Sequence, residues 1–338
     1  MKALLSESPG GPDTLVLREI DDPVPAADEV RIAVRACGVN YPDALIIEDK
    51  YQFKPPRPFA PGFELAGVID AVGAEVAARA LPHLAIGQAV IAHTTHGGFA
   101  EKAIAKAKAC APMPPAMPFD LAAAVTLTYG TSLHALQDRA RLQPLETLLV
   151  LGAAGGVGLA AVELGKALGA RVIAAVSSAA KAEVARAHGA DLAVVYPATV
   201  SDPKALAALF KDACTQLGAA GGANVIYDPV GGDYAEPALR AIAWQGRYLV
   251  VGFPSGIPKI PLNLPLLKGC DLQGVFWGTF VKRDPAGHRA NMARLLGWLA
   301  DGTIRPKISD RFTLPQGGEA LKKLLRREAV GKIVVTVG

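Results

Sequence analysis

Residues 148–177 read LLVLGAAGGVGLAAVELGKALGARVIAAVS, and this stretch decides the fold. Residues 148–151 form a short apolar run that ends at a glycine, and residues 171–176 repeat the pattern. Such runs are typical of strands that are buried on both faces of a sheet. Between the two runs, apolar residues recur at helical spacing from Val157 to Leu168. The stretch therefore predicts a β-α-β unit.

The turn between the first strand and the helix reads GAAGGVG over residues 152–158. Glycines at such a turn allow the backbone to approach a pyrophosphate closely, and the amides of the helix N-terminus point at that group. The spacing contains one residue more than the G-x-G-x-x-G pattern of dinucleotide-binding folds. We assign the following residues to cofactor binding: Ala154, Gly155, Gly156, Val157 and Gly158.

The end of the second strand indicates which dinucleotide is bound. Folds that use NAD place an acidic residue about twenty positions after the glycine turn, where it binds the adenosine ribose. Here the strand ends at Ser177 and Ser178, Lys181 follows one helical turn later, and the first acid is Glu183. Two hydroxyls and an ammonium favour a 2′-phosphate, which predicts NADPH. Alternatively, one serine only caps the next helix and Lys181 is solvated, although a capped helix start is also a phosphate site.

Composition excludes several classes of protein. The chain has 338 residues, 51% hydrophobic and 20% charged, with a formal net charge of +4. This length suits two domains, and the small, dispersed charge does not favour nucleic acid or an anionic membrane as a partner. No apolar run is long enough to span a bilayer and the first residues lack a signal region, so we expect a cytoplasmic location.

The order of the segments predicts two domains of an α/β protein. Residues 1 to about 110 read as short strands separated by Pro and Gly, which predicts a mostly antiparallel β region. Residues 124–277 contain six apolar runs separated by helical or loop sequence, enough for a doubly wound parallel sheet. Helices and a closing strand follow. We therefore expect one domain from residues 1–123 and 278–338, an inserted nucleotide domain at 124–277, and a catalytic cleft between them.

Motifs along essentially the whole chain resemble the medium-chain dehydrogenase/reductase superfamily, in its zinc-independent quinone oxidoreductase (zeta-crystallin-like) branch. The resemblance implies a GroES-like, mostly antiparallel β catalytic domain and a Rossmann domain with a doubly wound, six-stranded parallel sheet. The motifs that carry it are CGVNYPD at 37–43, PGFELAG at 61–67, YGTS at 129–132, AAGGVG at 153–158, Ser177 with Lys181, DPVGG at 228–232, VGF at 251–253 and GK at 331–332.

The resemblance also implies that the site holds no metal. Zinc alcohol dehydrogenases of the superfamily have a cysteine ligand where this chain has Asn40, and a histidine ligand where it has Phe63. Phenylalanine cannot bind zinc and asparagine binds it poorly. A zinc site from Cys37, Glu64, His93 and His96 has neither the order nor the spacing of a known zinc site. The four cysteines are scattered, which argues against structural disulfides.

Without a metal to polarise the substrate, the enzyme should reduce acceptors that are already electrophilic. The expected function is hydride transfer from NADPH to quinones. An alternative is NADPH-dependent reduction of activated C=C bonds in enones, 2-haloacrylate or enoyl-CoA, since no residue of the sequence decides between these acceptors. A second alternative is an NADPH-binding protein without turnover, with a structural, RNA-binding or sensing role. The sequence has no basic patch interleaved with aromatic residues, so it does not favour RNA binding.

The resemblance places several further residues at the site. Tyr51 is expected to donate a proton or a hydrogen bond to the developing oxyanion, or alternatively to pack as a loop tyrosine. Asn40 is expected to face the nicotinamide ribose or the substrate, or alternatively to be a turn residue. The remaining residues expected to bind the cofactor are Thr131, Ser132, Tyr196, Gly252, Phe253 and Phe276. Tyr196 and Phe276 are also compatible with simple packing.

The apolar run at residues 271–277 predicts the outer strand of the nucleotide sheet. An unprotected apolar edge strand invites pairing with a second copy. We therefore expect a two-fold homodimer with a sheet that continues across the interface. The alternative is a monomer whose edge is covered by the next segment.

Overall fold

The structure, a computed structural model, describes residues 1–79 and 81–338 and forms two compact units. Unit 1 comprises Met1–Leu127 and Pro306–Gly338, and unit 2 comprises Thr128–Arg305. The strands are β1 Lys2–Ser6, β2 Leu15–Glu19, β3 Glu29–Val39, β4 Glu64–Val72, β5 Ala89–His93, β6 Lys102–Lys106, β7 Cys110–Pro112, β8 Thr147–Val150, β9 Arg171–Val176, β10 Leu192–Val195, β11 Ala223–Asp228, β12 Ile242–Val250, β13 Asp271–Gly274, β14 Ile308–Thr313 and β15 Lys332–Thr336. The helices are α1 Tyr41–Ile47, α2 Ala74–Arg79, α3 Phe119–Ala122, α4 Thr126–Leu133, α5 Gly156–Ala167, α6 Ala179–Ala187, α7 Pro203–Gln216, α8 Ala235–Arg240, α9 Asn263–Lys268, α10 Trp277–Arg283, α11 Pro285–Ala300 and α12 Gly317–Leu325.

Unit 1 is organised around the long strand β3. One edge of β3 pairs antiparallel with β4, and its other edge pairs with β6 over residues 29–33 and with β15 over residues 36–39. The strand sequence alternates in burial from Glu29 to Ala36, as a strand with one covered face should. Because β15 lies near the C-terminus, the last segment of the chain completes the N-terminal sheet. The expected mostly antiparallel β region is confirmed. Among the described residues of unit 1, the one parallel pair of strands is β14 with β15.

Unit 2 contains a six-stranded sheet in the order β10-β9-β8-β11-β12-β13. Every neighbouring pair is parallel, and β8 and β9 flank helix α5 as the β-α-β pattern predicted. Residues 148–151 are almost wholly buried, which explains why the first strand is apolar throughout. The doubly wound parallel sheet expected from the sequence is therefore present. From β8 the chain adds β9 and β10 on one side, and it then crosses to the other side of β8, where it adds β11, β12 and β13. The strand order therefore reverses between β8 and β11.

Two expectations differ from the structure. The outer strand predicted at 271–277 ends at Gly274, because Trp277 begins α10 with its indole buried against His288. Residues 278–305 were predicted with the first domain but belong to unit 2. There the Asn291 side chain of α11 exchanges hydrogen bonds with residues that follow α4, donating to Asp138 at 2.8 Å and accepting from Gln137 at 2.9 Å. The boundary therefore follows Arg305.

Candidate functional site

The glycine turn of unit 2 exposes the start of helix α5. Gly155 caps the helix in an extended conformation and offers no side chain to the first-turn amides. Gly152 has a φ of +57°, which favours glycine, and a Cβ on Gly158 would lie 2.2 Å from the Gly152 carbonyl oxygen. The turn thus needs glycine at both positions to bring the helix close to the strand. The first-turn amides have no partner within the helix, so they suit a phosphate group.

A second turn lies beside the glycine turn. Strand β11 is the neighbour of β8, and ligands of doubly wound sheets bind where the strand order reverses, at the carboxyl ends of the strands. The β11 turn is fixed by Asp228, whose carboxylate accepts hydrogen bonds from the Val230 amide at 2.8 Å, the Gly231 amide at 2.9 Å and the Tyr248 hydroxyl at 2.5 Å. Burial raises the pKa of Asp228, against these hydrogen bonds. Sequence reasoning used this D-P-V-G-G motif only as a family marker and missed the structural role of Asp228.

Strand β9 ends at the residues that predicted NADPH. Ser178 caps helix α6 and accepts a hydrogen bond from the Lys181 amide at 3.3 Å. The Lys181 ammonium lies 3.3 Å from the exposed Ser177 hydroxyl, to which it donates. The structure thus brings the three side chains together, with no acidic residue among positions 177–181. Both sequence interpretations are compatible with this geometry, since Ser178 is a cap and the capped start still presents Ser177 and Lys181.

The other predicted cofactor residues of unit 2 have different surroundings. Gly252, Phe253 and Phe276 follow strands β12 and β13, and both phenyl rings are exposed. Tyr196 follows β10, is largely buried and lies 5.0 Å from the Tyr234 ring, centroid to centroid. All four residues are therefore at the carboxyl end of the parallel sheet, where ligands bind in this fold.

Thr131 and Ser132 lie on α4. Thr131 is half-buried, whereas Ser132 is fully buried. The Ser132 hydroxyl donates to the Val157 carbonyl at 3.0 Å and shares a 2.8 Å hydrogen bond with the Tyr227 hydroxyl. Ser132 therefore fixes the first turn of α5 from within unit 2. A direct contact of either side chain with a cofactor stays a prediction.

Unit 1 contains a buried group of charged and polar side chains. The Lys332 ammonium donates to Glu64 Oε1 at 2.6 Å, to Asn40 Oδ1 at 2.6 Å and to the Val39 carbonyl at 3.2 Å. The Lys332 side chain is 3% exposed and that of Glu64 is 0% exposed. Glu64 Oε2 also accepts from the Leu127 amide at 2.7 Å. The ion pair is thus fully buried, and each of its charges is hydrogen-bonded.

Asn40 joins this group through its amide. Its Nδ2 atom donates to Glu64 Oε1 at 2.9 Å and to the Gly38 carbonyl at 3.2 Å, which uses both amide hydrogens. Its Oδ1 atom accepts from Lys332, and Asn40 with Asp43 forms a capping box at the start of α1. The expected contact with a ribose or substrate stays a prediction.

Asp43 fixes the backbone next to this group. Its carboxylate accepts from the Asn40 amide at 2.7 Å and from the Gly62 amide at 2.9 Å, which ties the start of α1 to the segment before β4. Burial raises the pKa of Asp43 to about 7, because the two hydrogen bonds offset only part of the desolvation of the charged form. The sequence reading did not single out Asp43.

Tyr51 lies on the loop after α1. Its ring is half-buried and meets the Phe63 ring edge to face, with 5.4 Å between centroids. Burial, followed by the nearby charge of Asp43, raises the pKa of Tyr51, so its hydroxyl keeps its proton at neutral pH. Within the described ranges no hydrogen bond joins Tyr51 to Asn40. The geometry is compatible with both the proton-donor role and the packing role.

The donors of unit 1 do not fit a zinc ion. Among residues 1–79 and 81–338, no three His, Cys, Asp or Glu side chains are grouped closely enough to hold a metal. Cys37 is fully buried, and desolvation raises the pKa of its thiol well above the usual value, which disfavours the thiolate that zinc requires. The Glu64 carboxylate and the Asn40 amide oxygen already accept hydrogen bonds from the Lys332 ammonium.

A doubly wound sheet with a glycine turn at its switch point, in a chain that also contains a β-rich unit, defines a dinucleotide-dependent oxidoreductase. Comparison with known proteins agrees. Residues 26–115 match the family of alcohol dehydrogenase GroES-like domains, and residues 156–310 match that of zinc-binding dehydrogenases. The chain belongs to the medium-chain dehydrogenase/reductase superfamily, in its quinone oxidoreductase branch. The expected GroES-like and Rossmann architecture is thereby confirmed.

Similar proteins cover nearly the whole chain. Quinone oxidoreductase-like protein 2 of Rattus norvegicus is 34% identical over 325 residues, which are 96% of this chain and 89% of that protein. A quinone oxidoreductase of Pseudomonas aeruginosa is 32% identical over 337 residues, 96% of each chain. The structure of Escherichia coli quinone oxidoreductase complexed with NADPH has a TM-score of 0.88 at 26% identity, covering 99% of this chain and 100% of that one.

The helices were also searched for a segment that could span a membrane. In the described part of the chain, every helix is too short or too polar to cross a bilayer. The expected cytoplasmic location stays a prediction.

Protonation of Asp43 gives a testable dependence of stability on pH. Its folded pKa of about 7 exceeds its ordinary value of 3.8, so between these values the folded protein binds the proton more tightly than the unfolded chain. The free energy of unfolding should therefore fall as pH rises through this window, by up to about 1.4 kcal/mol per pH unit from this group. Asp43→Asn should lack this component.

The measurement is urea-induced unfolding of the wild type and Asp43→Asn at half-unit steps of pH. The difference between their free energies of unfolding should change within the window between pH 4 and 7 and level off outside it. Parallel curves across the whole range would show that Asp43 titrates normally.

Proposed function

We propose that the protein is an NADPH-dependent, metal-free oxidoreductase that transfers hydride to quinones. The observation that carries the proposal is the buried Lys332 ammonium held between Glu64 and Asn40. The family resemblance puts a cysteine zinc ligand of the metal-dependent members at the position of Asn40. With no metal to polarise an alcohol or ketone, an acceptor must already be electrophilic, and quinones meet that condition. The names of the relatives from rat and Pseudomonas aeruginosa support the same acceptor class.

Unit 2 supplies the cofactor site in this proposal. The amides at the start of α5 bind the pyrophosphate, and Ser177 with Lys181 binds the 2′-phosphate. The NADPH complex of the Escherichia coli relative supports this choice of cofactor. The site is completed by Thr131, Tyr196, Gly252, Phe253 and Phe276. Ser132 supports it indirectly, through its hydrogen bond to the Val157 carbonyl. When bound, NADPH supplies the hydride.

Unit 1 supplies the acceptor site. The Tyr51 hydroxyl, which keeps its proton at neutral pH, donates a hydrogen bond to the acceptor oxygen as negative charge develops there. Asn40 acts through its position, because hydrogen bonds to Lys332 and Glu64 fix the orientation of its amide. Phe63 holds the Tyr51 ring by an edge-to-face contact.

Oxidation of NADPH by a panel of acceptors tests the proposal. The dialysed, chelator-treated protein should oxidise NADPH with 1,4-benzoquinone and 9,10-phenanthrenequinone faster than with 2-cyclohexenone, 2-chloroacrylate or crotonyl-CoA. Turnover confined to the alkenes would replace the quinone assignment by reduction of C=C bonds. Absence of turnover with every acceptor, while NADPH still binds, would indicate a non-catalytic NADPH-binding protein. Loss of quinone turnover on chelation, restored by zinc, would contradict the metal-free assignment.

The choice between NADPH and NADH depends on Lys181. Lys181→Ala should raise the KM for NADPH about ten- to a hundredfold, the equivalent of one charge-assisted hydrogen bond of about 1.5 to 3 kcal/mol. It should leave the KM for NADH almost unchanged, because NADH has no 2′-phosphate. The matched control is Lys211→Ala, which removes an exposed lysine from α7 of the same unit. Equal changes for both cofactors would rule out a phosphate contact.

We also propose that two copies pair through the outer strand β13. Apolar side chains on and near this edge are exposed: Trp244, Leu266, Leu267, Leu272 and Phe276. In the described chain, β13 pairs with β12 on one side and with no strand on the other, as at an edge open to a second copy. The strand is four residues long, so the shared sheet is shorter than the sequence predicted.

Sedimentation of the protein tests the dimer. The wild type should sediment at twice the 35.0 kDa mass of the chain. Leu272→Lys, which places a charge on the edge strand, should shift the protein towards the monomer, whereas the exposed substitution Lys211→Ala should not. A wild type that sediments as one chain at micromolar concentration would contradict the proposal.

A further inference from the structure

His96 of unit 1 lies outside the polar group formed by Lys332, Glu64 and Asn40. His96 lies in the loop between β5 and β6, where it is half-buried and contacts two phenyl rings. Its ring centroid is 6.2 Å from that of Phe53 and 5.9 Å from that of Phe59. Burial lowers the pKa of His96, so the imidazole is neutral at pH 7. Nδ1 lies 3.3 Å from the Thr95 hydroxyl, and among the residues described Nε2 has no hydrogen-bond partner.

The loop that carries His96 is fixed to the segment before β4. The Thr94 amide donates to the Phe63 carbonyl at 2.7 Å, and the Gly97 amide donates to the Ala60 carbonyl at 2.7 Å. The Thr94 hydroxyl adds a bond of 2.9 Å to the Gly62 carbonyl. His96 is therefore held in place on both sides, next to the segment that carries Phe63 and, through it, the Tyr51 ring.

Two phenylalanine rings lie next to the His96 ring. The Phe53 ring is exposed, whereas the Phe59 ring is buried. The guanidinium of Arg57 lies over Phe59 and forms an ion pair with Asp49 at 2.9 Å. A neutral N–H donor beside an exposed phenyl ring fits a flat, uncharged molecule that carries a carbonyl oxygen.

We propose that His96 is an acceptor-binding residue, whose Nε2–H donates a hydrogen bond to a carbonyl oxygen of a quinone stacked on Phe53. The proton is on Nε2 when the Thr95 hydroxyl donates to Nδ1. Reduction adds one hydride and one proton to the quinone and oxidises NADPH to NADP⁺; the proton comes from water, and His96 keeps its own. The hydrogen bond strengthens as the oxygen becomes negative, so it lowers the barrier. This inference rests on the proposed function.

Steady-state kinetics of two His96 variants test the proposal. His96→Phe keeps a flat ring next to Phe53 and Phe59 but removes the donor, and should lower kcat/KM for 1,4-benzoquinone about ten- to a hundredfold, the value of a hydrogen bond to a charged group. The Kd for NADPH should stay unchanged. His96→Gln retains an N–H donor and should keep more activity than His96→Phe. The matched control, His83→Phe, changes a half-buried histidine in the turn at residues 82–84 and should behave as the wild type.

A wild-type quinone reductase whose His96→Phe variant keeps kcat/KM within twofold would overturn the inference and leave the proposed function intact. Equal losses in His96→Phe and His96→Gln would show that the hydrogen bond is not the cause, and would also overturn it.

Binding without turnover separates the inference from the proposed function. The chain has six histidines, so the imidazole Cε1–H signal of His96 can be assigned as the one missing from His96→Phe. Titration with 1,4-hydroquinone, in the absence of NADPH, should shift that signal. If the protein reduces no quinone, the proposed function fails; a His96 signal that then does not move would overturn the inference as well, whereas a saturable shift would support it as a binding site.

Discussion

The buried ion pair between Lys332 and Glu64 is the constraint on which unit 1 depends. Moving an isolated charge into a protein interior is costly, and removing one partner of a buried pair leaves the other uncompensated. The pair therefore exists only when β15, β4 and the start of α1 come together, since Lys332 begins β15, Glu64 begins β4 and Asn40 precedes α1. Glu64 also binds the Leu127 amide, so the last residue of the first segment of unit 1 is fixed by the same carboxylate.

This arrangement connects the fold to the chemistry. The ammonium satisfies a carboxylate and an amide that would otherwise need a cation or water, so a positive charge is built into the protein without a metal. Because Asn40 is held by both members of the ion pair, the orientation of its amide is fixed before any ligand binds. The aromatic side chains nearby, Tyr51 and Phe63, then present an uncharged surface with a protonated hydroxyl. Such a surface suits an acceptor that needs hydrogen bonds rather than a Lewis acid.

Sequence patterns predicted those parts of the structure that depend on local periodicity. The β-α-β unit, the glycine turn and the six parallel strands could be predicted because strands buried on both faces are apolar throughout, and because glycine is required at Gly152 and Gly158. Strand β14 was missed, since its sequence ISDRFT is polar and forms a strand only through pairing with β15. The predicted outer strand was too long because residues Val275–Trp277 are as apolar as a strand. In the structure Trp277 instead begins helix α10, and its indole is buried.

The candidate site was predictable to a smaller degree. Ser177 and Lys181 lie within one turn of each other, so their proximity follows from helical spacing. The partnership of Lys332 with Glu64 joins residues 268 positions apart, and no local pattern reveals it. Asp43 and Asp228 were missed for a related reason. Each carboxylate accepts hydrogen bonds from backbone amides. Because nearly every residue has a backbone amide, the sequence of the donor segment does not reveal such a bond. The family motifs that contain these residues were visible, but their physical roles were not.

A double-mutant cycle on the ion pair tests the central claim most directly. The free energies of unfolding of Lys332→Met, Glu64→Gln and the double variant are compared with the wild type by urea titration at pH 7. We expect Lys332→Met to cost about 3 to 5 kcal/mol, because it strands a buried carboxylate, and the added Glu64→Gln change to recover a large part of that loss. Additive losses in the double variant would contradict the account, since they would show that the two side chains stabilise the protein independently.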